Sequence, residues 1–143
     1  MFAEQISVFL ENKSGRLAEV SRVLAEAGVN IRALSLADTS DFGILRIIVD
    51  DNRKADSALK DAGFTVRKTR VVAVEVADRP GGLHEILEFL QTSKINVEYM
   101  YAFVRQKQDN AVMIFRFDNT DQAVLALTEK GFSVIKGETL YTM

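Results

Sequence analysis

The sequence predicts an α+β protein made of two tandem ferredoxin-like βαββαβ sandwiches, with antiparallel sheets and the helices on one face of each sheet. Three observations lead to this prediction. The chain repeats itself, each copy alternates strand and helix patterns in the same order, and no linker separates the copies. We place the two domains at residues 1–70 and 71–143.

The duplication is visible without any gap over twenty residues. The segment that starts at Asn12 (NKSGRLAEVSRVLAEAGVNI) matches the segment that starts at Asp78 (DRPGGLHEILEFLQTSKINV). After a longer turn in the second copy the register resumes, with Ile44 matching Val112, Asp50 matching Asp118, Ala58 matching Ala126 and Gly63-Phe64 matching Gly131-Phe132. Repeats of this kind indicate two copies of one structural unit.

The first copy shows the pattern of each element in turn. Its apolar and β-branched runs predict strands, and apolar residues spaced three and four apart, as from Leu17 to Ala27, predict a helix that Gly28 ends. The predicted elements are a strand over Gln5–Glu11, a helix over Arg16–Ala27, strands over Ile31–Ala37 and Gly43–Val49 around a turn at residues 38–41, a helix over Asn52–Ala62 and a strand from Thr65 to Arg70.

The second copy repeats this order. Its predicted elements are Val72–Val76, Gly82–Ser93, Val97–Val104, Ala111–Phe117, Asp121–Lys130 and Ser133–Ile135. Asp50-Asp51 and the matching Asp118-Asn119 precede the second helix of each copy, where an N-terminal cap explains them. Because β-α-β crossovers are right-handed, both helices of a copy lie on one face of its sheet and leave the other face uncovered by them.

The junction between the copies is itself a strand pattern. Thr65–Val76 contains no glycine or proline, and twelve extended residues cover about 40 Å at roughly 3.3 Å each. We therefore expect the last strand of the first copy to run directly into the first strand of the second, so that the two modules are rigidly coupled.

Composition excludes several classes of function. The net charge is −2 with acidic and basic residues interspersed, which argues against a nucleic-acid partner. The chain has no cysteine and one histidine, His84, so we predict no disulfide, no metal site and no cofactor. His84 is interpreted as an exposed helix residue. No signal peptide and no apolar run of roughly 18 residues is found, so we expect a soluble cytoplasmic protein without membrane contact.

The turn before the first helix of each copy carries the family resemblance. The second copy reads Asp78-Arg79-Pro80-Gly81-Gly82-Leu83, and the first reads Asn12-Lys13-Ser14-Gly15-Arg16-Leu17, with serine in place of proline. A βαββαβ module with an Asn/Asp-x-Pro-Gly-x-Leu turn resembles the ACT domain, an amino-acid-sensing regulatory module. The resemblance covers nearly the whole chain, as in stand-alone tandem ACT proteins with no catalytic domain.

The chemistry of the turn fits a zwitterion. The first amides of a helix lack internal partners and carry partial positive charge, so a carboxylate fits there. A glycine leaves the approach to the backbone open. Asn12 or Asp78 is placed to accept hydrogen bonds from an ammonium group. The second copy matches the motif better, but a full charge on Asp78 would repel the carboxylate. We therefore favour the first copy as the site, with the second as an equivalent or degenerate partner.

The resemblance implies a regulatory protein rather than an enzyme. It implies that a free amino acid binds at the turn, at a module or subunit interface, and that the second strands contribute to specificity. It is also consistent with a homodimer that regulates a metabolic enzyme or transporter. The predicted ligand-binding residues are Asn12, Ser14, Gly15, Arg16, Leu17, Ser35, Leu36, Asp78, Pro80, Gly81, Gly82, Leu83, Tyr99 and Tyr101, and no catalytic or metal-binding residue is predicted.

Other interpretations of the same residues remain open. Asn12, Ser14 and Asp78 could cap their helices, and Pro80 could be an ordinary first-turn proline. Tyr99 and Tyr101 could serve core or interface packing. The main functional alternative is a ligand-free oligomerisation or partner-regulating module. RNA binding and an acylphosphatase-like enzyme are less favoured, because Gly43–Val49 contains no aromatic residue and nothing beyond the fold supports catalysis.

Overall fold

The computed structural model describes residues 1–38, 41–103 and 109–143. In chain order the elements are β1 Ala3–Glu11, α1 Arg16–Glu26, β2 Ile31–Asp38, β3 Phe42–Val49, α2 Asn52–Asp61, β4 Thr65–Ala77, α3 Gly82–Thr92, β5 Val97–Ala102, β6 Asn110–Phe117, α4 Thr120–Lys130, β7 Val134–Ile135 and α5 Gly137–Thr142. The predicted strand end at Val104, and Thr39 and Ser40 of the predicted turn, lie outside the described residues. The tandem βαββαβ order is confirmed.

The chain divides into two compact units. The first unit comprises residues 4–69, and the second comprises residues 1–3 together with residues 70–143. The strands predicted at Thr65–Arg70 and Val72–Val76 are one strand, β4, of 13 residues. The chain therefore passes from the first unit to the second inside a strand, as the absence of glycine and proline predicts.

The first unit has the strand order β2-β3-β1-β4. β3 pairs antiparallel with both β1 and β2, so Leu45 lies opposite Val8 on one side and Leu36 on the other. One face of this sheet carries the core with both helices. Its buried residues are Ile6, Val8, Leu10, Val20, Val23, Leu24, Val29, Leu45, Ile47, Val49, Ala55 and Leu59.

The second unit repeats this order as β5-β6-β4-β7. β6 pairs antiparallel with β4 and β5, and the short β7 pairs with β4 through Val134 and Ile135. Its core packs α3 and α4 on one face of the sheet. Among the buried residues are Val72, Val74, Ile86, Leu90, Phe115, Phe117 and Leu127.

The C-terminal helix α5 is not predicted from the sequence. Six residues span fewer than two helical turns, which is too short for a 3.6-residue periodicity to be recognised. The helix is nevertheless anchored, because the Leu140 side chain is fully buried. Gly137 at its start lies so close to the backbone of Phe2 that an added Cβ would be 3.0 Å from that carbonyl oxygen.

The predicted caps of the second helices are confirmed. Asp51 accepts a hydrogen bond from the amide of Lys54 at 3.1 Å, and Asn119 accepts one from the amide of Gln122 at 3.1 Å. Each cap satisfies one of the amides that the first helical turn leaves without a partner. The two copies therefore begin their second helices in the same way.

Candidate functional site

The turn between β1 and α1 is built on a left-handed glycine. Gly15 is the N-cap of α1, with φ 91° and ψ −14°, a conformation that glycine adopts without the strain of a side chain. The amide of Asn12 donates to the carbonyl of Asp41 at 3.0 Å, which fixes the start of the turn. Within the described residues, no backbone oxygen accepts from the amides of Leu17 and Ala18 in the first helical turn, and no side chain caps this end of α1.

The capping interpretation of the two turns is not what the structure shows. Gly15 and Gly81 occupy the N-cap positions of α1 and α3, and glycine has no side chain to accept a helix amide. Asn12, Ser14 and Asp78 therefore lie before the N-cap residues rather than in their place. Pro80 also precedes its N-cap, so it is not a first-turn residue of the helix.

A small cavity, called the turn pocket below, opens beside the first turn. It has a volume of about 60 Å³. It brings together four of the predicted ligand-binding residues: Asn12, Arg16, Leu17 and Leu36. The other lining residues are not among the predicted ligand-binding residues; they are Leu10, Glu11, Lys13 and Gly43. Since a water molecule occupies roughly 30 Å³ of the liquid, this volume holds about two waters, or the charged end of a small molecule.

Ion pairs surround Arg16 at the mouth of the turn. Its guanidinium contacts the Glu11 carboxylate at 3.0 Å and the Glu19 carboxylate at 3.0 Å, and Lys13 contacts Glu11 at 3.1 Å. Hydrogen bonds from Lys13 and Arg16 lower the pKa of Glu11 below its ordinary value, and those from Arg16 to Glu11 and Glu19 raise the pKa of Arg16. The two cations and two carboxylates therefore balance one another.

Sequence reasoning missed Glu11, Lys13 and Glu19. The only signal that could have found Glu19 is its position three residues after Arg16 on a helix, where opposite charges meet. The contact between Arg16 and Glu11 has no such signal, because it depends on the reversal of the chain at Gly15.

Ser35 and Leu36 lie on opposite faces of β2, since side chains alternate along a strand. Leu36 pairs in register with Leu45, a core residue, and lines the turn pocket. Ser35 pairs in register with Arg46 on the other face. Only Leu36 of this predicted pair is therefore brought to the pocket.

The turn before α3 has the same backbone conformation as the turn before α1, but its surroundings differ. Gly81 has φ 87°, but the next residue, Gly82, is buried, and a Cβ added to it would be 1.9 Å from the carbonyl oxygen of Ala77. The helix start thus packs directly on the end of β4. Arg79 contacts the Glu85 carboxylate at 2.6 Å.

The remaining predicted residues of this turn are exposed. Asp78 and Pro80 lie on the surface before the N-cap, and Leu83 is 39% exposed on the first turn of α3. His84 lies beside Leu83 on the exposed side of the helix, with its Nε2 3.3 Å from the Glu88 carboxylate. This position confirms the prediction that His84 is an exposed helix residue.

Tyr99 and Tyr101 share one face of β5, as their spacing predicts. They pair in register with Arg116 and Ile114, whereas Met100 between them packs against the core beneath the helices. Both tyrosines therefore lie on the face of the sheet opposite α3 and α4, and Tyr101 is only 9% exposed. Their position on that face fits the packing interpretation better than a contact with the helix start.

Across residues 1–38, 41–103 and 109–143, no group of three or more histidine, cysteine, aspartate or glutamate side chains is arranged to hold a metal ion. No described helix is long and apolar enough to cross a membrane.

Comparison with known proteins identifies the module. A family model described as an ACT domain pair matches residues 1–143, which is the whole chain. This match confirms the resemblance that the turn motif and the duplication indicate. No curated protein matches the chain.

Solved structures show the same architecture. A Bacteroides thetaiotaomicron protein is 43% identical, with a TM-score of 0.94 over 100% of this chain and 98% of that one. The regulatory subunit of aspartate kinase from Thermus thermophilus, in a ligand-free form, is 17% identical, with a TM-score of 0.64 over 90% of this chain and 92% of that one. The corresponding subunit from Thermus flavus is 16% identical, with a TM-score of 0.60 over 88% and 90% of the two chains. At 17% and 16% identity, the similarity to these two subunits shows a shared fold.

Proposed function

We propose that this chain, which belongs to the ACT domain pair family over its whole length, is a regulatory protein that binds a free amino acid at the β1–α1 turn. The observation that carries the proposal is the turn pocket. Asn12 and the first two residues of α1, Arg16 and Leu17, line this one small cavity, and the helix starts directly after the left-handed Gly15.

Each part of an α-amino acid has a counterpart in the turn. In this proposal the carboxylate binds at the start of α1, near the amides of Leu17 and Ala18, where the helix dipole favours negative charge. The ammonium group binds near the side-chain oxygen of Asn12, a residue that lines the turn pocket. Since about 60 Å³ holds only this charged end, the side chain of the ligand extends beyond the turn pocket.

Two features favour the first turn over the second. Asn12 is neutral where Asp78 carries a charge that repels a carboxylate. The residue after the left-handed glycine also differs. Gly15 and Gly81 are both open, but Gly82, the counterpart of Arg16, packs against the end of β4.

The mechanism that we propose is a shift between conformations. A bound amino acid stabilises the arrangement that binds it best, and a partner enzyme or transporter responds to that arrangement. The chain then acts as a sensor without catalysing a reaction. A homodimer fits this role, because a symmetric partner is the commonest way to cover an exposed sheet edge.

The proposal is tested by calorimetric titration of the full chain with the twenty amino acids, each measured separately. We expect binding of one or a few, with dissociation constants between about 1 μM and 1 mM. Gly15→Val should weaken this binding at least tenfold, because a β-branched residue disfavours the left-handed conformation from which the helix start is built.

Gly131→Val is the matched control. Gly131 ends α4 with φ 97° and, like Gly15, an added Cβ there would have no non-neighbouring described atom within 4 Å. Both variants therefore carry the same backbone strain, but only one alters the turn. Equal loss of binding in the two variants, or no binding of any amino acid to the unmodified chain, would refute the proposed site.

The ligand-free module remains the second candidate. Leu34 and Leu36 are 51% and 47% exposed on β2, which ends the strand order of the first unit. An edge strand with exposed leucines favours association with another chain. If none of the twenty amino acids binds in the calorimetric titration, and sedimentation shows a stable dimer, this candidate is favoured.

A further inference from the structure

A larger cavity lies beside the turn pocket and is called the side-chain cavity below. It has a volume of about 260 Å³ and lies where the end of β1, the start of β3 and the turn between α2 and β4 meet. Leu10, Glu11 and Arg16 line both cavities, so the two are adjacent. The two cavities therefore lie side by side at the end of β1.

The walls of the side-chain cavity are rich in aromatic rings. Phe9, Phe42 and Phe64 line it, and Phe42 is 62% exposed. The Arg67 guanidinium is 5.7 Å from the centroid of the Phe9 ring, a cation–π contact that helps to hold this ring. An exposed phenyl ring at the mouth of a cavity gains free energy when an apolar group covers it.

The charges at the cavity border are already compensated. Glu11 is paired with Lys13 and Arg16, and Arg16 is also paired with Glu19, at 3.0–3.1 Å. Hydrogen bonds from Lys13 and Arg16 lower the pKa of Glu11, so both partners stabilise its charged form. A ligand with a charged side chain would have to displace one of these partners, whereas an uncharged side chain leaves all of them in place.

We propose that the amino acid bound at the turn has an uncharged apolar side chain, aliphatic or aromatic, that lies in the side-chain cavity against Phe9 and Phe42. This inference rests on the proposed function, since the turn pocket holds the charged end of the ligand. The size is suitable, because about 260 Å³ equals the space of about eight or nine water molecules at roughly 30 Å³ each.

The test compares five ligands, measured separately by calorimetry on the full chain: phenylalanine, leucine, glycine, aspartate and lysine. Phenylalanine and leucine should bind most tightly. Phe42→Ala should weaken their binding about fivefold to tenfold, through the lost apolar contact area, and leave glycine unchanged. Leu125→Ala is the control, because Leu125 is a similarly exposed apolar residue, at 61%, on α4.

A filling variant gives a second, independent measurement. Ala62 lines the side-chain cavity at the C-cap of α2, with φ −81° and ψ 1°, a conformation open to any side chain. Ala62→Phe should therefore abolish the preference for phenylalanine and leucine over glycine without unfolding the protein.

The outcomes separate the two proposals. If aspartate or lysine binds more tightly than phenylalanine and leucine and Gly15→Val removes that binding, the side-chain inference is overturned and the turn site stands. Apolar binding that neither Phe42→Ala nor Ala62→Phe alters also overturns the inference. If no amino acid binds, the proposed function fails and this inference fails with it.

Discussion

The two strand–helix turns come from one duplicated sequence and differ most at the residue after the left-handed glycine. In the first turn this residue is Arg16, which is paired with Glu11 and Glu19. In the second it is Gly82, whose missing Cβ makes room for the carbonyl oxygen of Ala77. The first turn thus presents a charged side chain where the second packs backbone against backbone.

One electrostatic feature is nevertheless kept by both turns. Glu19 and Glu85 occupy equivalent positions in the first turns of α1 and α3, and each is paired with an arginine. In the first copy this arginine is Arg16, which follows the left-handed glycine. In the second copy it is Arg79, which precedes that glycine. The comparison of the two turns shows that the duplicated motif specifies the backbone conformation and the charge balance. The space around the motif depends on single side chains.

The largest expected effect tests the close packing of the second turn. Gly82→Ala places a Cβ 1.9 Å from a backbone oxygen, so the helix start must move away from β4. We expect the free energy of unfolding to fall by about 3 kcal/mol, at the upper end for overpacking a buried position. Urea denaturation followed by circular dichroism measures this loss.

Arg16→Ala is the matched variant in the first turn. It removes surface ion pairs and leaves the backbone in place, so its effect should be a small fraction of that of Gly82→Ala. Equal effects of the two substitutions would contradict the difference between the turns described above.

The second helices provide a comparison in which the two copies should behave alike. Asp51→Ala and Asn119→Ala each remove an N-cap hydrogen bond of 3.1 Å. We expect each substitution to lower the free energy of unfolding by about 1 kcal/mol, measured by urea denaturation. Asp51→Asn and Asn119→Asp keep the cap and should change stability much less. A clear inequality between the two alanine variants would show that the copies differ beyond their turns.

The smallest expected effect concerns Glu11, which has Ala77 as its counterpart in the second copy. Its pKa in the folded protein is below the ordinary value of 4.5, because Lys13 and Arg16 donate hydrogen bonds to the carboxylate. The resulting stability is present above pH 4.5 and is lost as the pH falls through the lower, folded-state pKa.

The stability difference between the unmodified chain and Glu11→Gln should therefore be greatest near neutral pH and shrink on acidification. Thermal denaturation across the acidic range measures it. Glu129→Gln is the control, because Glu129 is exposed on α4 and has no ion pair within the described residues. A difference that grows on acidification would contradict the role of Glu11.

Much of the fold follows from patterns that extend over many residues. The apolar spacing from Leu17 to Ala27 identifies α1, and the unbroken β-prone run from Thr65 identifies β4. α5 is missed because its anchor is one leucine, Leu140, in a segment shorter than two turns. For the site, the motif locates the turn in the sequence. Strand alternation predicts that Ser35 and Leu36 lie on opposite faces of β2, but it does not indicate which of the two faces lies next to the turn.

The sequence by itself determined the duplicated βαββαβ order, the glycine-based helix starts and the family, since these depend on local conformation and periodicity. Only the tertiary structure decided that Leu36 reaches the turn pocket, that Arg16 pairs with Glu11, and that the side-chain cavity lies beside them. These features depend on distances between segments far apart in the chain, which a periodic pattern does not encode because packing in three dimensions sets them.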